Sequence, residues 1–231
     1  MIGIIGAMEE EVIKLKANMQ DIKVTKKAAM EFNQGKLNEK DVVIVRSGIG
    51  KVNAALCTQI LVDDYHVNVI INTGIAGSLD NDINIGDIVL STDALQHDID
   101  AVAFGYDKGV IPRMETSIFP ADESLVAIAK LTCERVNPDI KVHTGRVVSG
   151  DQFIASNKMK EQLVTSFHAL CTEMEGAAIA HAAFLNKIPY LIVRAISDKA
   201  DQSAEIDYPT FEKKAIEHTV KLMNALIAKM S

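Results

Sequence analysis

The sequence predicts a single α/β domain: a three-layer sandwich in which helices cover both faces of a mixed, mostly parallel sheet. Short apolar runs typical of buried strands alternate along the chain with longer segments of helical periodicity. Apolar residues make up 48% of the 231 residues, enough for a sizeable core and too many for a disordered chain. We therefore expect residues 1–231 to form one domain.

Composition and charge exclude several classes of protein. The formal net charge is -7, so no basic face for nucleic acid is expected. The three cysteines are far apart in sequence, which indicates neither a disulfide framework nor a zinc site and favours the reducing cytoplasm. The N-terminus lacks the basic region of a signal peptide, and no apolar run is long enough to span a bilayer.

The chain opens with a predicted buried strand, Met1–Ala7, followed by a helix, Met8–Met19. Glycine-rich turns between such elements bind phosphate, but consecutive glutamates occupy this turn and would repel it. An acidic first turn is the commonest use of glutamate at a helix start. That explanation suffices for Glu9 and Glu10, and it leaves Glu11 open to a functional role.

The next predicted elements are a strand pair over Val24–Leu37 with its turn near Asn33–Gly35, a strand over Asp41–Ser47 and a helix over Val52–Tyr65. The turn before that helix, Ser47–Lys51, lacks the third glycine of a dinucleotide fingerprint. It also lacks the Ser or Thr that follows Lys in a P-loop. The sequence therefore indicates no nicotinamide cofactor or nucleoside triphosphate, and we expect no cofactor and no metal.

A strand of β-branched residues, Val67–Asn72, is expected to end in a small-residue turn, Thr73–Ser78, where backbone can approach a ligand closely. The strand that starts at Ile85–Leu90 leads to a long loop, roughly His97–Pro120. Loops of this length in compact domains are often lids or interface segments. The histidine and aspartates that open the loop have no recognised metal-ligand spacing, so a structural or interface role ranks ahead of a metal site.

Five further elements continue the alternation of strand and helix. They are a helix (Glu123–Val136), a strand (Lys141–Ser149), a short helix (Lys158–Ser166), a strand (Tyr190–Ala195) and a last helix that begins at Asp207-Tyr208-Pro209. Two side chains, Phe153 and Asp198, follow these strands closely, where ligands bind in α/β sheets. Phe153 could stack on a flat base there, although a position in the core is about equally compatible with the sequence.

The segment Cys171–Ala180 places two carboxylates, Glu173 and Glu175, at the start of a helix that is apolar nearly all round. Such a helix is buried, and a charge at its entrance is costly unless something uses it. The helix dipole favours an anion there, so we expect Glu175 to stay ionised and to accept hydrogen bonds from two neighbouring hydroxyls, as on a ribose. Simple capping of the helix by both acids is the alternative.

Several of these groups share one feature, since each follows a strand. By the strand-end rule, the turn at Gly74–Gly77 should meet Glu11, Phe153, Glu175 and Asp198 at one crevice. This convergence supports a binding or catalytic site more strongly than any single residue does.

Six segments carry a further signal because they occur together and in this order: Gly3–Glu11, Ser47–Val52, Asn72–Gly74, Ser149–Ile154, Glu173–Gly176 and Arg194–Asp198. Together they resemble the bacterial 5'-methylthioadenosine/S-adenosylhomocysteine nucleosidases. The resemblance covers essentially the whole chain, and the ordered set is far more specific than any one motif. It implies the purine nucleoside phosphorylase superfold and a homodimer.

The resemblance also implies an activity, hydrolysis of the N-glycosidic bond of 5'-methylthioadenosine and S-adenosylhomocysteine in methionine salvage. Asp198, helped by Ser197, would protonate N7 of adenine, and Glu11 would activate the attacking water. Glu175 would hold the ribose hydroxyls. The other implied roles are packing on the sugar by Met174, stacking on adenine by Phe153, recognition of its edge by the backbone of Ile154, and support from Glu173 and Arg194. Ile75 and Gly77 are also expected to bind the substrate.

The implied 5'-thio pocket has two parts. It would be lined by Met8, Ile49 and Tyr208, with Phe104 and Pro112 arriving from the partner subunit. This chain departs from many relatives, which have Ser in place of Ile75 and Phe in place of Tyr208. The departures bear on a hydrogen bond near the ribose and on the preference among 5'-substituents.

The chemistry needs residues of this kind. Adenine leaves poorly until N7 is protonated, so one buried carboxylic acid must stay neutral, and a second carboxylate must deprotonate water. A phosphorylase of the same superfold is the first alternative, but its phosphate-binding arginines are replaced here by the acidic first turn and by Asn72. A non-catalytic purine-binding protein is the second, and the joint presence of Glu11, Glu175 and Asp198 argues against it.

Overall fold

Ten β-strands form the centre of the fold in the computed structural model, which describes residues 1–230. Their bounds are β1 (Ile2–Gly6), β2 (Gln20–Lys27), β3 (Met30–Leu37), β4 (Lys40–Arg46), β5 (Val69–Ser78), β6 (Ile88–Gln96), β7 (Phe119–Pro120), β8 (Val142–Ser149), β9 (Cys171–Glu173) and β10 (Tyr190–Asp198). The α-helices are α1 (Glu9–Ala17), α2 (Lys51–Tyr65), α3 (Glu123–Val136), α4 (Asn157–Phe167), α5 (Gly176–Leu185) and α6 (Ala204–Lys229), and a short 3₁₀ helix spans Val102–Phe104.

The strands join into one mixed sheet in the order β10-β6-β8-β9-β5-β1-β4-β3-β2, with β7 beside β6. Because β10 also pairs with β5, the strands β5, β10, β6, β8 and β9 close into a barrel. Antiparallel pairs are as numerous as parallel ones within residues 1–230. The predicted α/β class is confirmed, but the prediction of a mostly parallel sheet is wrong, because tight hairpins and barrel closure add antiparallel pairs.

The first hairpin shows one cause of that error. The predicted turn near Asn33–Gly35 is wrong, since the chain turns at Ala28 and Ala29, both with positive φ, and Asn33 lies inside β3. The Asn33 side chain is buried and donates to the carbonyl of Ile44. A side chain on Gly35 would meet the carbonyl of Gln20 at 2.5 Å, so this glycine permits close strand packing instead of a turn.

Helices pack on both faces of the sheet and bury two large apolar cores. On one face α1, α3 and α6 contribute residues such as Leu15, Ala129 and Met223. On the other face α2 and α5 contribute residues such as Leu61 and Ile179. The helix α5 is buried over six of its ten residues, as its apolar sequence predicts. No helix within residues 1–230 combines the length and hydropathy that a membrane span requires.

The segment expected to turn after Asn72 is a strand. The predicted turn over Thr73–Ser78 is wrong, because β5 runs on to Ser78 and pairs with β10 along most of its length. Two positions of this strand require glycine because neighbouring side chains lie too close for a larger residue. A side chain at Gly74 would lie 2.4 Å from Oε1 of Glu11, and one at Gly77 would lie 2.7 Å from Oδ1 of Asp198.

The last helix also begins earlier than predicted, at Ala204 instead of Asp207. The residue before it, Ser203, donates its hydroxyl to Asp207 across the first turn, which stabilises the earlier start. Pro209 is therefore the sixth helical residue and lies beyond the first turn. This start places Tyr208 on a helical turn that faces the carboxyl ends of the strands.

Candidate active site

A cavity of about 370 Å³ lies at the carboxyl ends of the strands and is walled mainly by apolar groups. This size falls within the usual range for small-molecule sites. The residues that line it are Ala7, Met8, Glu11, Ile49, Ile75, Ala76, Gly77, Phe153, Thr172, Glu173, Met174, Glu175, Ser197, Asp198 and Tyr208. Most of the predicted site residues thus meet in one place, as the strand-end rule predicts.

Glu11 lies in the first turn of α1, where backbone donors hold its carboxylate. The N–H groups of Ala7 and Met8 donate to Oε2 at 2.7 and 3.0 Å, and the N–H of Ile75 donates to Oε1 at 3.2 Å. Burial raises the pKa of Glu11, and the charge of Arg194 and these three donors oppose the rise. A buried carboxylate fixed in this way has the orientation and basicity that a general base requires.

Asp198 ends β10 and faces the same cavity. Its Oδ1 accepts from the N–H of Ala200 at 2.8 Å, and its Oδ2 lies 2.9 Å from the donating hydroxyl of Ser197. Burial raises the pKa of Asp198 despite these two hydrogen bonds. The Lys160 side chain, on α4, anchors the adjoining loop by donating to the carbonyl of Lys199 at 2.7 Å. A buried aspartic acid with a raised pKa can donate a proton at neutral pH.

Arg194 lies behind the cavity wall and organises the acids at its floor. Its Nη2 donates to Glu173 and, at 2.7 Å, to Oδ1 of Asn72. Glu173 also accepts from the hydroxyl of Ser149 and, at 2.8 Å, from the N–H of Gly176 at the start of α5. Glu173 therefore both caps the helix and pairs with the guanidinium of Arg194. These two contacts fix the backbone on either side of Glu175.

Glu175 projects from the N-terminus of α5 into the cavity. Its Oε1 accepts from the N–H of Gly50 at 2.9 Å, and its Oε2 lies 3.7 Å from Arg194. Burial, and next the charge of Glu173, raise the pKa of Glu175 to about 8. Burial therefore opposes the ionised form that the helix dipole favours, and the ionisation of Glu175 stays a prediction.

The cavity adjoins a small recess that shares several of its lining residues. The recess is lined by Gln152, Phe153, Ile154 and Asp198, among others, but not by Met8 or Tyr208. Phe153 is 50% exposed, so it is not a core residue, and Ile154 is buried. The Phe153 ring meets Tyr208 edge-on with centroids 5.9 Å apart. An aromatic face, a buried backbone and an acid thus converge on the same recess.

Met8, Ile49 and Tyr208 also line the cavity, and the Tyr208 ring contacts Phe153. The predicted residues Phe104 and Pro112 do not reach the cavity within one chain. Both are exposed on the long loop, and Phe104 is 84% accessible. Their expected arrival from a partner subunit stays a prediction.

Sequence reasoning missed several groups that hold the site together. The amide of Gly50, the hydroxyl of Ser149 and the amide oxygen of Asn72 all bond to the buried acids or to Arg194. Thr172 lines the cavity and was not singled out. Ser149 and Asn72 both lie at or near the carboxyl ends of predicted strands, so the strand-end rule could have found them.

A family model described as the phosphorylase superfamily matches residues 1–228. The 5'-methylthioadenosine/S-adenosylhomocysteine nucleosidase of Staphylococcus carnosus is 40% identical over the full length of both chains.

Two solved structures of proteins with that same name are similar. The Neisseria meningitidis protein, in complex with methylthio-immucillin-A, has a TM-score of 0.94 and 34% identity, with 99% of each chain covered. The Colwellia psychrerythraea protein, in complex with adenine, has a TM-score of 0.93 and 40% identity, covering 98% of this chain and 93% of the other.

Proposed function

The chain belongs to the 5'-methylthioadenosine/S-adenosylhomocysteine nucleosidases of the phosphorylase superfamily, and we propose that it hydrolyses the N-glycosidic bond of both nucleosides. The products are adenine and the corresponding 5-thioribose. The observation that carries the proposal is the convergence of two oriented carboxyl groups, Glu11 and Asp198, on one cavity. The whole chain, residues 1–231, acts as one nucleosidase domain.

Asp198 supplies the acid in this proposal. Burial raises its pKa and so favours the protonated carboxyl, which delivers a proton to N7 of adenine as the bond between C1' and N9 breaks. The bonding electrons then leave with a neutral base instead of an anion. Ser197 and the N–H of Ala200 fix the orientation of the carboxyl group. Phe153 covers the base in the recess next to this acid, and the backbone of Ile154 reads its edge.

Glu11 supplies the base. In its ionised form it takes a proton from the water that attacks C1', and the three backbone donors keep its oxygens aimed at that water. Two carboxyl groups that act on opposite sides of a glycosidic carbon follow the logic of inverting glycoside hydrolysis.

Glu175 holds the ribose and favours the transition state. Two hydroxyls of the sugar donate to its oxygens, and Met174 packs on the sugar beside it. As the C1'–N9 bond breaks, positive charge develops on the ring, and a carboxylate next to it stabilises that charge. Arg194 lies near Glu175 and offsets part of its charge, while Glu173 accepts from the backbone N–H of Glu175 and fixes its position.

Water, and not phosphate, is the proposed nucleophile. The lining of the cavity contains three glutamates and an aspartate but no Lys, Arg or His among residues 1–230. Arg194 is buried and already pairs with Glu173, so it is not available to an anion. A phosphorylase must hold a multiply charged phosphate at the sugar, and this acidic lining disfavours it.

A homodimer completes the proposed enzyme. The outward faces of α2 and α5 expose several large apolar side chains, including Val52 (77%) and Leu185 (63%). Phe104, on the long loop, is a further exposed apolar side chain. Contiguous apolar surface of this kind supports an interface, and two-fold dimers are the commonest solution. In the proposed dimer, Phe104 and Pro112 of each subunit close the 5' pocket of the other.

The cellular role follows from the products. The enzyme would act in the cytoplasm, where adenine and the thioribose return to methionine salvage.

The proposal is tested by incubating the purified protein with 5'-methylthioadenosine and with S-adenosylhomocysteine and measuring adenine release. Release from both, abolished in Glu11→Gln, is the expected result. Binding of both nucleosides without release would support a purine-binding protein instead.

A further inference from the structure

The part of the cavity that Tyr208 lines carries a polar pair that an apolar pocket does not require. Tyr208 and Glu212 lie one turn apart on α6, and the phenol hydroxyl donates to Oε1 of Glu212 at 3.3 Å. The same hydroxyl lies 3.3 Å from the sulfur of Met8, which lines the cavity. The hydroxyl therefore stands at the boundary between the cavity and a carboxylate.

This part of the cavity is acidic. Burial is the main cause that raises the pKa of Tyr208, and the carboxylates of Glu212, Glu11 and Glu10 raise it further. Each of those three groups therefore lies close enough to act on the phenol. No Lys or Arg within residues 1–230 pairs with Glu212. Glu212 thus has no direct ionic partner in the described part of the chain.

We propose that Tyr208 and Glu212 select substrates whose 5'-substituent carries an ammonium group, as the homocysteinyl chain does and the methylthio group does not. The inference rests on the proposed function, which assigns this part of the cavity to the 5'-substituent. An ammonium has three donors and no acceptor, and it finds two acceptors here, the phenol oxygen and the Glu212 carboxylate.

The pair suits a cation for a second reason. While the phenol donates to Glu212, its oxygen lone pairs are free to accept from an ammonium, so the bound cation, phenol and carboxylate form one chain of hydrogen bonds. Hydrogen bonds between charged groups are stronger than neutral ones. A neutral alkyl chain of the same length gains only apolar contacts with Met8 and Ile49.

The test compares two adenosines that differ in one terminal atom. One carries a 5'-aminoalkylthio chain, and the other carries a 5'-alkylthio chain with the same number of atoms. Neither has a carboxylate, so attraction of the ammonium is measured alone. The ratio of kcat/KM for the cationic substrate to that for the neutral one is determined for the parent, Glu212→Gln, Tyr208→Phe and Glu217→Gln.

We expect the parent to favour the cationic substrate by about tenfold at low salt, with a smaller preference at high salt because ions screen the charge. The ratio should fall severalfold in Glu212→Gln and also in Tyr208→Phe. Glu217→Gln is the matched control, because Glu217 lies on the same helix but pairs with Lys14 at the surface. It should keep the ratio of the parent.

A parent without preference, or an unchanged ratio in Glu212→Gln, overturns the inference. Failure of the proposed function gives a different result, since the parent would then release adenine from neither substrate. In that case the dissociation constants of the two compounds, measured by calorimetry for the parent and Glu212→Gln, still decide the question. Tighter binding of the cation that Glu212→Gln abolishes supports the inference, and equal binding contradicts it.

Discussion

The Nη2 atom of Arg194 lies 3.7 Å from Oε2 of Glu175 while it donates a hydrogen bond to Glu173. The negative charge of Glu11 also acts on this guanidinium. One buried cation therefore serves three buried acids, and it cannot neutralise all of them. Burial, and next the charge of Glu173, raise the pKa of Glu175, so the protein's stability and its activity both depend on this group.

The first prediction concerns stability. The pKa of Glu175 rises from 4.5 to about 8 on folding. A group with a raised folded pKa contributes stability that is present below the unfolded pKa and lost as pH rises through the folded pKa. We therefore expect the melting temperature of the parent to fall relative to that of Glu175→Gln as the pH rises from 4.5 to about 8. Melting curves across this range that stay parallel for the two proteins would contradict the assignment.

The same substitution should reduce activity. Gln has nearly the size of Glu but cannot carry the negative charge that stabilises the sugar cation, so we expect turnover to fall on the order of a hundredfold or more. Parent and Glu175→Gln are compared on ribose and 2'-deoxyribose substrates. The parent should discriminate between the two sugars, and the variant should discriminate less. Equal discrimination would show that Glu175 does not read the 2'-hydroxyl.

A third prediction concerns Asp198. Asn keeps the shape and can still donate a hydrogen bond to N7, but it cannot transfer a proton. Asp198→Asn should therefore bind substrate while its turnover falls roughly a hundred- to ten-thousandfold. The loss should be smaller for a nitrophenyl riboside, whose leaving group departs without protonation. Equal losses on both substrates would mean that Asp198 maintains the shape of the site.

A fourth prediction concerns the proposed dimer. A charge on the apolar face should separate the subunits, so Val52→Asp should sediment as a monomer and lose affinity for 5'-methylthio substrates. Ile22→Asp is the matched control, because Ile22 is also an exposed apolar residue, 46% accessible, but belongs to β2 and not to α2 or α5. Phe104→Ala should weaken 5'-methylthio binding more than adenine binding. A parent that sediments as a fully active monomer would refute the dimer.

The location of the site could be predicted because it depends on local rules. Asp198 ends a strand and Glu11 follows one, and both positions could be read from apolar runs that stop at a polar residue. Glu173 and Glu175 flank the start of a buried helix, which its unbroken apolar sequence predicts.

The rest depends on contacts between distant segments. Closure of the barrel requires β10 to pair with both β5 and β6, and no local pattern encodes that choice. The glycines of β5 resemble a turn in sequence. Their actual role is to leave room for Arg194, Glu11 and Asp198, which lie too close for a larger residue. The pKa of Glu175 likewise depends on burial by distant segments and on the neighbouring Glu173 charge, which the apolar pattern of α5 alone does not encode.

The central claim is that water attacks the sugar under the control of Glu11 and Asp198, and product analysis tests it most directly. Parent protein is incubated with 5'-methylthioadenosine in phosphate-free buffer and in phosphate buffer, and the sugar product is identified by mass. We expect adenine and free 5-methylthioribose at the same rate in both buffers. A strict requirement for phosphate, or a 5-methylthioribose 1-phosphate product, would contradict the account.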